Sequence, residues 1–116
     1  MSRTYNLLEN VLVEIENGIS EGIDANTIAK KNSLSETHLR RLFRFTYSQT
    51  ITKYIRSKKL KASLDDLLKT DLNVLDIALK YGFEYEQSYI RAFKREYGLT
   101  PGYLRKSGRA DSLLCC

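Results

Sequence analysis

The chain has 116 residues, 19 Lys and Arg against 14 Asp and Glu, and a net charge of +5. That length fits one domain or two small helical subdomains, and the charge suits an anionic partner without requiring one. No apolar run nears the roughly 20 residues of a membrane span, and residues 1–15 lack the basic start and apolar core of a signal peptide, so a cytoplasmic protein is expected. One His and two adjacent terminal cysteines, Cys115 and Cys116, offer neither a disulfide loop nor metal-ligand spacing; no metal or other cofactor is implied.

A single Pro, six Gly and frequent Leu, Ile, Lys and Glu predict an all-α fold. Leu7, Leu8, Val11, Leu12 and Ile15 recur at the i, i+3, i+4 spacing of an amphipathic helix expected to pack on the helices after it. Asp24 is placed to cap a helix over residues 25–31, Asn32 and Ser33 to form a turn, and Ser35 to cap a helix from Glu36 to about Thr46. Residues 50–69 contain no Gly or Pro and carry Ile51, Tyr54, Ile55, Leu60, Leu64, Leu67 and Leu68, which predicts one long helix. At 1.5 Å per residue it spans roughly 30 Å, close to the roughly 34 Å between successive major grooves on one face of B-DNA. Its Lys53, Arg56, Lys58, Lys59 and Lys61 read as solvated. Asn73 is a candidate cap for residues 74–81, Gly82 a turn, and Gly98 the end of a helix beginning near Glu86. Thr100 and Pro101 open a last helix to about Lys106, and residues 107–116, without periodicity, read as a disordered tail or the stump of a longer protein.

The chain repeats itself. Ile28, Ala29, Lys31 and Leu34 match Ile77, Ala78, Lys80 and Phe83 at an offset of 49. Leu39, Arg41, Phe43, Arg44, Tyr47 and Thr50 match Tyr89, Arg91, Phe93, Lys94, Tyr97 and Thr100 at 50. Each copy reads as a helix-turn-helix, about 24–46 and 73–98, joined by the long helix at about 50–69.

At 100° per residue, Thr37, Arg40, Arg41 and Arg44 share one face of the first long helix, opposite Leu39, Leu42 and Phe43. Gln87, Ile90, Arg91 and Lys94 share the matching face of the second, opposite Tyr89, Ala92 and Phe93. A solvated basic face would explain one such helix. Two, each the second helix of a helix-turn-helix, point to double-stranded DNA. Arg41 and Arg91 can fork onto guanine O6 and N7, Gln87 can pair with adenine, and Thr37 and Ile90 can meet thymine methyls. Arg40, opposite Ile90 in the repeat, joins this base-facing set, with reach to phosphate as well; Arg44, Lys94 and Arg95 are expected on phosphates. Glu86 either accepts from cytosine N4 or, like Glu36, favours the positive helix end. His38 has no catalytic partner in the pattern and reads as packed or capping; no enzyme is expected.

These residues resemble the AraC/XylS family of bacterial regulators. The resemblance is carried by Asp76-Ile77-Ala78-Leu79-Lys80-Tyr81-Gly82-Phe83, by the run from Ser88 to Arg105 through Phe93, Gly98 and Pro101, and by Leu34-Ser35-x-x-His38-Leu39-x-Arg41-Leu42-Phe43. It implies a seven-helix unit over about residues 4–106, two subdomains on two adjacent major grooves, and usually activation of transcription, with RNA polymerase as a further partner. The chain looks most similar to the MarA, SoxS and Rob group; a small-molecule effector would enter only with a further C-terminal domain. Two departures stand out. Ser33 occupies a turn where the family commonly has Gly, so Asn32 or Ser33 is expected to hold a positive φ. Glu86 is charged where near relatives tend to be uncharged. The competing reading is a module that docks on RNA polymerase or another regulator, with DNA contact secondary.

Overall fold

The computed structural model describes the backbone of residues 2–115 and the side chains of residues 6–108. Among the described residues every regular element is helical: α1 (Ser2–Gly18), a 3-10 turn (Ile19–Glu21), α2 (Ala25–Lys31), α3 (Glu36–Tyr47), α4 (Ile51–Lys69), α5 (Val74–Lys80), α6 (Glu86–Tyr97) and α7 (Pro101–Cys115). The all-α, seven-helix expectation therefore holds. No described helix is long and apolar enough to cross a membrane. Two compact units divide the chain, residues 1–59 and 60–116, so α4 contributes its first half to one and its second half to the other.

The first unit forms around Leu8, Val11 and Ile15 of α1, Ile28 and Ala29 of α2, Leu39 and Phe43 of α3, and Ile51 and Ile55 of α4, all buried. Burying each large aliphatic or aromatic side chain contributes about 1.5–3 kcal/mol before the cost of ordering it. Glu14 fixes α1 against α2, accepting from Asn32 Nδ2 at 3.0 Å while that amide also donates to the Ile28 carbonyl at 2.8 Å.

The second unit repeats the plan with Leu60 and Leu67 of α4, Ile77, Ala78 and Tyr81 of the α5 end, and Tyr89 and Phe93 of α6. Tyr89 stands where the first copy has Leu39, and its hydroxyl must find a partner once buried. It donates to Ser63 Oγ at 2.8 Å, and Ser63 in turn donates to the Leu60 carbonyl at 2.7 Å. Asp66, the buried carboxylate of α4, accepts from the Tyr81 hydroxyl at 2.5 Å and from Lys80 Nζ at 3.1 Å. Arg105 of α7 donates to the Leu67 and Thr70 carbonyls, satisfying the C-terminal end of α4. Burial, then the bond to Asp66, pushes the Tyr81 hydroxyl well above its ordinary value; burial pushes Tyr89 up to about 12.

Two sequence expectations change. The last helix passes Lys106 and stays helical through Cys115, where the sequence reading had 107–116 as a disordered tail. The stretch contains no Pro, and Gly108 sits where an added Cβ would lie 2.5 Å from Leu68 Cδ2, so the missing side chain gives α7 room to continue beside α4. Side chains from residue 109 on, with both cysteines, lie outside the described residues. On α4, Lys58 is not simply solvated: Glu16 of α1 holds it at 2.9 Å, and that hydrogen bond raises its pKa. Lys59 is half-buried, and desolvation lowers its pKa.

Candidate nucleic-acid interface

The two helix-turn-helix copies share the cap that opens their first helix and the hydrogen bonds of the turn that follows it. In the first, Asp24 Oδ1 accepts from the Thr27 N–H at 2.9 Å to start α2; in the second, Asn73 Oδ1 accepts from the Asp76 N–H at 2.7 Å to start α5. The Asp24 carboxyl is held below its ordinary value chiefly by that backbone bond. At the turn, Ser33 N–H donates to the Lys30 carbonyl and Leu34 N–H to the Ala29 carbonyl. Gly82 N–H donates to the Leu79 carbonyl and Phe83 N–H to the Ala78 carbonyl in the same pattern. Both turns are Schellman caps, which require a left-handed residue after the cap. Gly82 supplies it at φ 85°; Ser33 supplies it at φ 57°, while Asn32 stays at φ −100°.

Ser35 accepts from the His38 N–H at 3.1 Å to open α3, whereas Tyr85 opens α6 with no side-chain cap. Both recognition helices end on a second left-handed residue, Ser48 at φ 59° and Gly98 at φ 80°, each donating its N–H to the carbonyl four residues back. The repeat at offset 50 pairs Ser48 with Gly98, so this position was readable in the sequence and was passed over. Each recognition helix carries the same internal aromatic pair, Phe43 with Tyr47 and Phe93 with Tyr97, both with ring centroids 4.8 Å apart, and Phe43 also packs on Tyr54 of α4 while Tyr89 packs on Phe83 of the turn.

With Leu39 and Phe43 buried, α3 turns Thr37, Arg40, Arg41 and Arg44 to solvent; with Tyr89 and Phe93 buried, α6 turns out Gln87, Arg91, Lys94 and Arg95. Arg41 and Arg91 sit near the middle of these faces, without a hydrogen-bond or ion-pair partner among the described residues. Arg40 differs. Its guanidinium donates to Glu36 Oε1 at 2.9 Å and to Thr52 Oγ1 on α4 at 2.9 Å, so part of its donor set is already used. Ile90 and Glu86 are half-buried, so Ile90 is not the fully exposed side chain that its spacing suggested. His38 is exposed rather than packed, and only its main-chain N–H takes part in the cap.

The sequence reading also passed over Phe45. It is 90% exposed on α3, and with Ser35, Thr37, His38, Arg41 and Leu42 it lines one shallow depression. Its place on the helical wheel, away from Leu39 and Phe43, was the available signal.

A family model described as "Helix-turn-helix domain" matches residues 28–107. The chain belongs to the AraC/XylS family of helix-turn-helix regulators. Among AraC/XylS relatives, it is 33% identical to "Probable transcription factor PqrA" of Proteus vulgaris, over 95% of this chain and 92% of that protein. It is 34% identical to "HTH-type transcriptional activator AarP" of Providencia stuartii, over 93% of this chain and 82% of that one. Among solved structures, the C-terminal domain of the two-component response regulator yesN from Fusobacterium nucleatum is similar at a TM-score of 0.77 and 27% identity, over 86% of this chain and 98% of that domain. Against the AraC/XylS pattern, the left-handed serines Ser33 and Ser48 belong to the first copy alone; the second has Gly at both places.

Proposed function

We propose that this chain is a sequence-specific double-stranded DNA-binding transcription regulator, acting in the cytoplasm on the nucleoid, with α3 and α6 each entering a major groove. One observation carries the reading. Arg41 and Arg91, equivalent residues of a repeated helix-turn-helix, are both exposed and, among the described residues, without a hydrogen-bond or ion-pair partner, at the middle of a second helix whose opposite face is buried. That placement suits bidentate donation to guanine O6 and N7. Around them Thr37 and Gln87 are the neighbouring base readers, while Arg44, Lys94 and Arg95 flank them for phosphate. Arg40, held by Glu36 and Thr52, is better suited to phosphate than to a base edge, and Glu86 to the positive end of α6. Ile90 retains a partly exposed surface for a thymine methyl.

The name of AarP, a transcriptional activator, favours activation; RNA polymerase is the protein partner that an activator would require. Selection from random duplex tests the reading. Two short sequence blocks should emerge, Arg41→Ala and Arg91→Ala should each relax a different block at about 1–3 kcal/mol, and affinity should fall steeply with salt. Equal loss on every sequence by both variants would mean that phosphate contacts had been mistaken for base readout.

A further inference from the structure

The two recognition helices differ most on one flank. Where α3 carries His38, Leu42 and Phe45, the matching positions of α6 carry Ser88, Ala92 and Arg95. Phe45 lies four residues beyond Arg41, hence about 6 Å along α3 and about 40° round it. It therefore continues the exposed face that Arg41 centres, and does not belong to the core side of Leu39 and Phe43. Leu42, half-buried, joins Arg41 and Phe45 in the lining of the depression. A phenyl ring left 90% in water, beside an arginine without a partner among the described residues, gains little from the fold of its own unit. Its apolar surface matches the one apolar feature of the major groove, the C5 methyl of thymine.

We infer that Phe45, backed by Leu42, is a specificity-determining residue that reads a thymine methyl beside the guanine taken by Arg41. The inference rests on the DNA-binding reading above and deepens it. The 6 Å advance along α3 corresponds to fewer than two base-pair steps of about 3.4 Å, which confines the methyl to one or two steps from that guanine. In the second copy Arg95 places a cation at the matching position, so a methyl contact at this place on the helix is confined to the block read by α3, separate from the one proposed for Ile90.

The test uses duplexes of a selected binding sequence in which each thymine is replaced in turn by deoxyuridine, removing only the methyl. At one position within two steps of the Arg41 guanine, wild-type affinity should fall about fourfold, the equivalent of about 0.8 kcal/mol for one buried methyl group. Phe45→Ala and Phe45→Arg, both at an exposed site, should bind the thymine and deoxyuridine forms of that one position equally. Methyl-indifferent binding by the wild type, or the same fourfold step in Phe45→Ala, would overturn the inference. So would a Phe45→Ala protein that binds every duplex as the wild type does yet fails to activate transcription with purified RNA polymerase; the ring would then dock on protein. Failure of the parent reading has a separate signature: wild type and Arg41→Ala would bind all duplexes alike, without steep salt dependence.

Discussion

Ser33→Gly and Ser48→Gly should each stabilise the first unit. Both serines sit at φ near +60°, the left-handed region, at turns where the second copy uses Gly82 and Gly98. A side chain there brings Cβ against the following carbonyl and costs about 1–2 kcal/mol, whereas glycine gives back about 0.5–1 kcal/mol in extra freedom of the unfolded chain. The net gain is about 0.5–1 kcal/mol per site. With a urea m-value of about 1–3 kcal/mol per molar, each variant should raise the unfolding midpoint by a few tenths of a molar at unchanged m. Urea unfolding followed by helical circular dichroism reads the midpoint, and amide exchange in α2 and α3 shows that the gain lies in the first unit. The reciprocal changes Gly82→Ser and Gly98→Ser should lower the midpoint by a similar amount in the second. A lower midpoint for Ser33→Gly and Ser48→Gly at unchanged m would refute the reasoning: the hydroxyls would then contribute more than the strained backbone costs.

Gly18→Ala should destabilise the first unit by about 1–3 kcal/mol, because the new methyl would stand 2.8 Å from Ile23 Cβ, a branch point that cannot swing aside; thermal unfolding checks it. Asp24→Ala should cost about 1 kcal/mol through loss of the α2 cap. Because the Asp24 carboxyl is held below its ordinary value, that advantage should be present above pH ~4 and disappear as pH falls through the folded value, which stability measured against pH resolves. Burial raises Tyr89 to about 12 and raises Tyr81 as well, so folding disfavours their ionised forms. Stability should hold up to pH ~10 and fall as pH rises from there towards 12, and Tyr89→Phe should flatten the fall in the same titration.

The frame was legible because it is made of local signals. Asp24, Ser35, Asn73 and Thr100 cap helices through bonds to backbone three residues on, a reach that sequence spacing encodes directly. Gly82 announces its turn by being glycine, and the repeat narrows the matching conformation to Asn32 or Ser33, of which the structure shows Ser33. Ser48 opposite Gly98 was equally available by that logic. What sequence could not give were bonds across elements. Asp66 meets Lys80 and Tyr81 from 14 and 15 positions away, and Tyr89 meets Ser63 from 26. The tie of Arg40 to Thr52 is of this kind, and it turns an arginine that the helical wheel offers to bases into one already partly engaged. Lys58 and Lys59 changed for the same reason, since only packing decides which face of a charged helix reaches solvent.

The divergence of the copies is itself informative about the site. The caps of α2 and α5, the turns and the aromatic pairs within α3 and α6 are kept, so most of the frame has been held constant while the outward faces changed. Each recognition helix still carries three cations, Arg40, Arg41 and Arg44 against Arg91, Lys94 and Arg95. Glu96, where the first copy has Thr46, leaves α6 with one more acid than α3, so non-specific attraction to phosphate should be somewhat stronger at α3. What moved is where the third cation stands. The position of Arg40 holds Ile90 in the second copy, and the position of Arg95 holds Phe45 in the first. These two positions lie about 140° apart round the helix, so the phosphate-facing charge has crossed from one flank to the other and an apolar side chain has taken its place each time. An equal number of cations on exchanged flanks changes which base edges lie beside apolar surface. Two copies built this way should read unlike sequences, and the site they select should lack two-fold symmetry.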